Sequence, residues 1–432
     1  MAGKASEAVQ AAESQQRRQA VGLRRSLTLP YAVLYGMGVT IGAGIYVLIG
    51  AAAARAGMQA PLAFVAAAVL MGLTAASFAE LGGRMPVAAG EAAYVREGFR
   101  SDRWSAAVGF LVIAVAIVAA AAISVGSAGY IAVFVNLPQP IIITAVVLSM
   151  GAVAAWGIKQ SVAFAAAMTL IEVGGLVVMI AAGALSGPEL FTRLPEMVPP
   201  HATSAAAFGL VSAALLAVFA FIGFEALVNV AEELHEPQRT IPRAIFLTLA
   251  LTTLLYVLVV WVALVAVPPA ELAASKAPLA LAFERLTGAS PRTMSAIAVV
   301  ATLNGIIVQI ILSARVLYGL ARQGTLPPAF QDVNPVTRTP LIATAVTMAL
   351  VLALALLLPL EGLADLTARF TLALFAIINV ALIRIKARET EPPRHIYLAP
   401  RWVPWAGLVS CLAFLLADLG VMIVSSLGRL GG

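Results

Sequence analysis

The chain has 432 residues, 61% of them hydrophobic and 11% charged, whereas soluble domains carry roughly 25% charged residues, so one water-soluble core cannot hide its apolar surface. A single cysteine, Cys411, excludes an internal disulfide and any cysteine-based metal site. The formal net charge of +6 is, in so apolar a chain, a membrane-orientation signal and not a nucleic-acid footprint.

Residues 1–29 are polar, with Gln15-Gln16-Arg17-Arg18 and Arg24-Arg25, and lack the apolar core and small-residue cleavage site of a secretory leader. They are expected to form a cytosolic tail. Apolar runs of bilayer-crossing length, about 20 residues, then follow at 30–52, 61–82, 105–134, 140–158, 161–185, 205–231, 243–267, 293–320, 340–359, 362–384 and 402–426, about eleven in all. Breaks fall at turn-forming clusters such as Pro199-Pro200, Pro268-Pro269 and Pro327-Pro328. With the amino terminus inside, the inner segments hold 20 of the 27 Lys and Arg residues, the bias expected of cytosolic loops. The sequence therefore predicts an all-α integral membrane protein of a bacterial-type inner membrane, with a cytoplasmic amino terminus and an external carboxyl terminus.

Span 1 carries Gly36, Gly38, Gly42 and Gly44 around a lone threonine, Thr40. Two readings of these glycines stay open: close packing through small residues, or an unwound stretch whose free N–H groups face an anion. Span 3 has small side chains and no carboxylate near its centre. Glu172 lies in the middle of span 5, where desolvation favours its neutral form. It is either a proton or cation site or a structural partner of an arginine or of span 1. Span 6 has its own interruption, Phe219-Ala220-Phe221-Ile222-Gly223-Phe224-Glu225, with a second carboxylate at membrane depth. An ionisable group there is a functional candidate by default, and the alternative for Glu225 is a cap on the following half-helix. In span 8, Gln309 and Asn304 either line a cavity or bond neighbouring helices. Arg369, just inside span 10, is expected to extend its stem to the interface.

Interrupted segments at corresponding positions of two halves point to a transport site. They divide the chain into the tail 1–29, a first five-helix repeat 30–185, a second repeat 205–384, and a cytosolic loop plus extra helix in 385–432. Several strings then resemble one family, the amino acid–polyamine–organocation transporters. They are "GMGVTIGAGIYVLIG" in span 1, "AELGGRMPVAAGEAAYV" after span 2, "FAFIGFEALVNVAEELHEPQRTIPRAI" from Phe219 to Ile245, and "SARVLYGLARQGTLP" at the inner end of span 8. The resemblance implies a five-plus-five inverted-repeat fold with broken spans 1 and 6. It implies a substrate site at Thr40, Ile41, Gly42, Ala43, Gly44, Phe219, Ile222 and Gly223, with Gln309 as a candidate side-chain contact. The N–H groups of Ala43 and Gly44 would receive a carboxylate, the carbonyls of Thr40, Phe219 and Ile222 an ammonium, and Phe219 would act as an aromatic gate. Several relatives have a lysine where this chain has Glu172, so the implied coupling through a fixed positive charge does not carry over.

The expectation is a permease for neutral amino acids working by alternating access, by uptake or exchange, with proton coupling at Glu172 or Glu225 and no cofactor. A cationic amino acid or polyamine substrate is the alternative. A channel would need a continuous polar lining. An enzyme would need a nucleophile–base pair or a metal cluster, but His201, His235 and His395 are scattered through loops, and no phosphate-binding G-x-x-x-x-G-K-[ST] string is present.

Overall fold

The computed structural model describes residues 27–42, 44–86, 90–156, 162–198, 203–231 and 234–430. The tail up to residue 26 and the site candidate Ala43 lie outside them. Among the described residues all regular structure is helical. The one β contact pairs Leu27 with Leu234, beside which the His235 N–H donates to the Leu27 carbonyl at 3.0 Å. Helix is what lipid demands, because each unsatisfied backbone group in hydrocarbon costs several kcal/mol.

Span 1 is two helices, Leu29–Ile41 and Gly44–Ala56, and span 2 is Ala60–Arg84. A short helix, Gly90–Phe99, precedes span 3 (Asp102–Ile131), span 4 (Gln139–Trp156) and span 5 (Val162–Leu185). Span 6 is Ser204–Phe221 followed by the short Ala226–Asn229, and span 7 is Pro237–Ala266. Two short helices, Pro269–Ala274 and Pro278–Thr287, lead to span 8 (Arg292–Arg322), span 9 (Leu341–Leu357), span 10 (Leu360–Arg388) and span 11 (Trp402–Leu430). Nine helical stretches among the described residues are long and apolar enough to cross a membrane. One of them, Gly44–Arg84, is 41 residues long and turns at Gly57, where φ is +54°, so it holds two spans. Leu29–Ile41 and Leu341–Leu357 are shorter apolar helices. The predicted limits move most at the start of span 7, which begins at Pro237 and not at 243 and so takes in Arg239, and span 10 likewise continues helically from Arg384 to Arg388. A hydropathy criterion stops at charges that a helix end can carry into the interface.

The face at which Leu29 enters is the tail face; the opposite one is the far face. Buried apolar residues fall into two large clusters, one built mainly on spans 1, 2, 6, 7 and 10, the other on spans 3, 4, 8 and 9, and a small third one of Ala76, Ala399 and Val403. Span 8 lies along span 3, and span 7 along span 2. The first half of span 1 packs on spans 5 and 7, while its second half packs on the first half of span 6. Phe219 and Ile222 belong to the second cluster although span 6 belongs to the first, so the break in span 6 sits on the seam between the two.

Buried charges tie the helix ends together. Glu80, fully buried, accepts from Arg84 at 2.6 and 2.9 Å, from Lys386 Nζ at 2.7 Å and from the Ala399 N–H at 2.7 Å. Arg84 also forks onto Glu389 at 2.8 and 3.0 Å. An unpaired buried carboxylate would be strongly destabilising, and these donors fasten spans 2 and 10 to the segment entering span 11. Towards the far face, Arg55 forks onto Asp365 at 2.8 and 2.9 Å and donates to the Ser212 carbonyl at 3.0 Å, joining spans 1, 6 and 10. Arg369, one-third exposed, pairs with Asp418 of span 11 at 2.6 and 3.3 Å, a carboxylate partner that the expectation of an interfacial stem did not include.

Candidate substrate site at the broken helices

The first half of span 1 ends where the Gly42 N–H donates to the Gly38 carbonyl at 3.2 Å, and Gly44 opens the next helix. The first N–H groups of that helix have no acceptor within it. In span 6, Ile222 N–H turns back to the Phe219 carbonyl at 3.2 Å, and Gly223 follows at φ +135°. Glu225 Oε2 accepts the Gly223 N–H at 2.9 Å, so its carboxylate ties off the break itself, much as a cap would.

The two breaks touch. A Cβ on Gly44 would stand 2.6 Å from Ala220 Cα, and one on Gly223 would stand 2.7 Å from the Thr40 N. Only glycine allows these approaches, and at Gly223 only glycine takes the backbone conformation without strain. The Tyr256 hydroxyl, from span 7, bridges the Thr40 and Ala220 carbonyls at 2.9 Å each. It thereby pins the carbonyl ends of both half-helices, a role that a lone tyrosine in an apolar run does not reveal in sequence. One lone pair of the Thr40 carbonyl is thus already engaged, and the other remains.

A cavity of ≈ 30 Å³ lies at this junction. Of the predicted residues, Thr40, Gly44, Phe219, Ile222 and Gln309 line it. Spans 3 and 8 add Ala119, Ile123, Asn304, Gly305 and Val308, so no charged side chain is part of the lining. Thr40 Oγ1 and Gln309 Oε1 are buried without a hydrogen-bond partner. Ile41 faces the core and is not in the lining. Gly42 lies at the helix end, and Gly223 presses on Thr40 without lining the cavity.

Glu172 is fully buried one residue behind the lining. Its Oε1 meets Asn304 Nδ2 at 3.4 Å, and its Oε2 has no partner. No ion pair joins it to a described Lys, Arg or His, so the arginine alternative is not realised. The bond to span 1 exists, but through its backbone: the Tyr46 hydroxyl donates to the Glu172 carbonyl at 2.6 Å, and the Tyr130 hydroxyl to the Tyr46 carbonyl at 2.5 Å. Glu225 does not line the cavity either. A further buried carboxylate near the breaks, Glu91 in the short helix before span 3, hydrogen-bonds Asn229 beyond the span 6 break. Sequence reasoning passed over it because it falls in a loop.

The two sides of the junction differ. Towards the tail face, Phe78, Tyr94, Phe224 and Phe375 form a cluster with ring centroids 5.4 to 6.5 Å apart. Towards the far face a larger cavity of ≈ 460 Å³ is lined by span 1 (Val47, Gly50), span 3 (Val125, Gly129) and the segment Ala273–Lys276. Chemically, the junction offers helix-start donors, helix-end acceptors and apolar walls, which suits a small zwitterion with an uncharged side chain.

Comparison with known proteins agrees in kind. A family profile described as amino acid permease matches residues 27–428. The chain is 32% identical over 401 residues to an uncharacterized transporter of Mycobacterium tuberculosis, covering 91% of this chain and 86% of the relative. It is 28% identical over 429 residues to the branched-chain amino acid permease BcaP of Bacillus subtilis, covering 92% and 89%. It is also 28% identical over 400 residues to the vacuolar cationic amino acid transporter 2 of Arabidopsis thaliana, covering 86% of this chain and 61% of that one.

Proposed function

Because the chain belongs to the amino acid permease family, we propose that it carries neutral amino acids with aliphatic side chains across the plasma membrane by alternating access. The observation that carries this reading is the small cavity between the two broken spans, walled by Ala119, Ile123, Ile222 and Val308 and free of charged side chains. The carboxylate of the substrate meets the N–H groups that open at Gly44, its ammonium meets the carbonyls at Ile222 and Thr40, and Phe219 covers it. The branched-chain permease among the relatives supports the same class. Spans 1–5 and 6–10 act as the two repeats, the tail face is cytosolic, and the aromatic cluster is the closed inner gate of an outward-facing form whose entrance is the larger cavity.

Glu172 is the proposed proton site. A carboxylate at this depth is costly to keep charged in a dry site and ionises when water enters, and alternating access changes hydration once per cycle. Glu225, tied to the Gly223 N–H, serves the break. A second reading, cationic substrates, is favoured by Glu172 standing behind the lining and by the plant relative. A substrate panel in proteoliposomes, with internal and external pH set independently, decides. The expected result is saturable uptake of leucine-like substrates stimulated by an inward proton gradient, with Glu172→Gln keeping exchange and losing that stimulation. A diamine bound more tightly than every amino acid tested would reverse the substrate class, and a variant that keeps gradient dependence would remove Glu172 from coupling.

A further inference from the structure

We infer that Asn304 is a positioning residue that relays the protonation state of Glu172 to the substrate pocket by turning either the donor or the acceptor end of its amide towards the substrate. The inference rests on the proton role proposed for Glu172 and adds how a group that does not line the pocket acts on it. Asn304 lines the cavity, Glu172 does not, and the one side-chain bond between them runs from Asn304 Nδ2 to Glu172 Oε1.

The argument is one of hydrogen-bond inventory. An ionised carboxylate only accepts, whereas a protonated one also donates through its O–H; a primary amide has one donor end and one acceptor end. Facing an ionised Glu172, Asn304 must offer its Nδ2, and the acceptor Oδ1 is left for the pocket. Facing a protonated Glu172, the amide is free to turn, take the carboxyl O–H on Oδ1 and present its two N–H donors to the pocket. The observed bond does not lock either arrangement: 3.4 Å is long beside the roughly 2.7–2.9 Å of a firm charge-assisted bond. Glu172 Oε2 is buried and unpartnered, so no second side-chain contact keeps the protonated carboxyl from turning its O–H towards Asn304. Further along span 8 on the same pocket wall, Gln309 Oε1 is a buried acceptor that also lacks a donor among the described residues, and a substrate N–H can supply one.

Nothing charged competes for this role. Span 5 packs on the first half of span 1, on span 7, on span 8 and on the helix Pro278–Thr287. The titratable groups that these elements and the second half of span 1 turn towards Glu172 are the hydroxyls of Tyr256 and Tyr46. Between Arg292 and Arg315 span 8 has no ionisable residue, and Glu284 and Arg285 of the short helix are exposed at the far face. Asn304 is therefore the one polar side chain that touches both the Glu172 carboxyl and the cavity among the described residues.

The test measures binding of a leucine-like substrate to purified protein at pH 5.5 and 8.5, for the wild type, Glu172→Gln and Asn304→Ala. The wild-type affinity is expected to change by about tenfold between the two, within the usual range of site–site coupling, and to be flat in both variants. Affinity that stays pH-dependent in Asn304→Ala while Glu172→Gln is flat overturns the relay and leaves the proton role of Glu172 standing. A flat wild type overturns both. Should Asn304→Ala bind nothing, infrared spectroscopy without substrate decides: the Asn304 amide carbonyl band, identified by its loss in that variant, should shift as the Glu172 carboxyl titrates and stay fixed in Glu172→Gln. A band that does not move while the carboxyl titrates overturns the inference.

Discussion

At the scale of single residues, the glycines of the two breaks are not equivalent, and the structure ranks them. A methyl group on Gly44 would meet the Ala220 backbone at 2.6 Å, whereas one on Gly42 meets the Gly38 carbonyl at 3.1 Å and the Val39 carbonyl at 3.5 Å. Backbone cannot yield as a flexible side chain can, so Gly44→Ala is expected to separate the two breaks and abolish substrate binding. Gly42→Ala should keep measurable binding, while Gly42→Leu, with a side chain too large for the turn, should lose it. Binding to purified variants that reach the membrane at normal levels checks this order. Equal binding by Gly44→Ala and wild type would mean that the contact between the breaks does not shape the site. Gly223 joins Gly44 in this class, since φ +135° and a contact at 2.7 Å to Thr40 exclude any side chain.

At the scale of elements, ion pairs fasten helix ends that lipid alone would leave free to slide. The Glu80–Arg84–Glu389 group holds spans 2 and 10 together at the tail face, and the Arg84 guanidinium keeps the Glu389 carboxyl below its usual range. A carboxyl whose folded-state pKa is depressed adds stability that is complete above its unfolded value, about 4.3 for glutamate, and that disappears as pH falls through the depressed folded value. Thermal unfolding in detergent should therefore show Glu389→Gln less stable than wild type at pH 7. The gap should narrow as pH falls below about 4. A gap that widens in acid would mean that the pair does not bind its carboxylate form. Span 11 is held in a similar way, by Arg369–Asp418 on one side and by the Ala399 N–H on Glu80 on the other, which makes the last helix part of the body of the protein and not an appendage.

At the scale of the whole molecule, the expected topology is a cytosolic amino terminus, eleven crossings and an external carboxyl terminus. A reporter fused after Arg388 should read cytosolic and one fused at Gly432 external; both on one side would break the count. That count was legible in the sequence because a membrane span is a one-dimensional property: roughly 20 apolar residues are visible wherever they occur, and charge bias orders them. The breaks in spans 1 and 6 were legible for a related reason, since glycine clusters and a carboxylate are out of place in hydrocarbon. What the sequence left open was which groups meet across helices. Asn304 and Glu172 are 132 positions apart, and Tyr256 and Thr40 are 216. The bond of Arg369 to Asp418 and the bridge of Tyr256 over both half-helices each depend on groups brought within about 3 Å by packing, the reach of a hydrogen bond. Apolar length and local composition are written along the chain, but a pairing between distant spans exists only once the helices have chosen their neighbours, and it is there that tertiary structure decided the site.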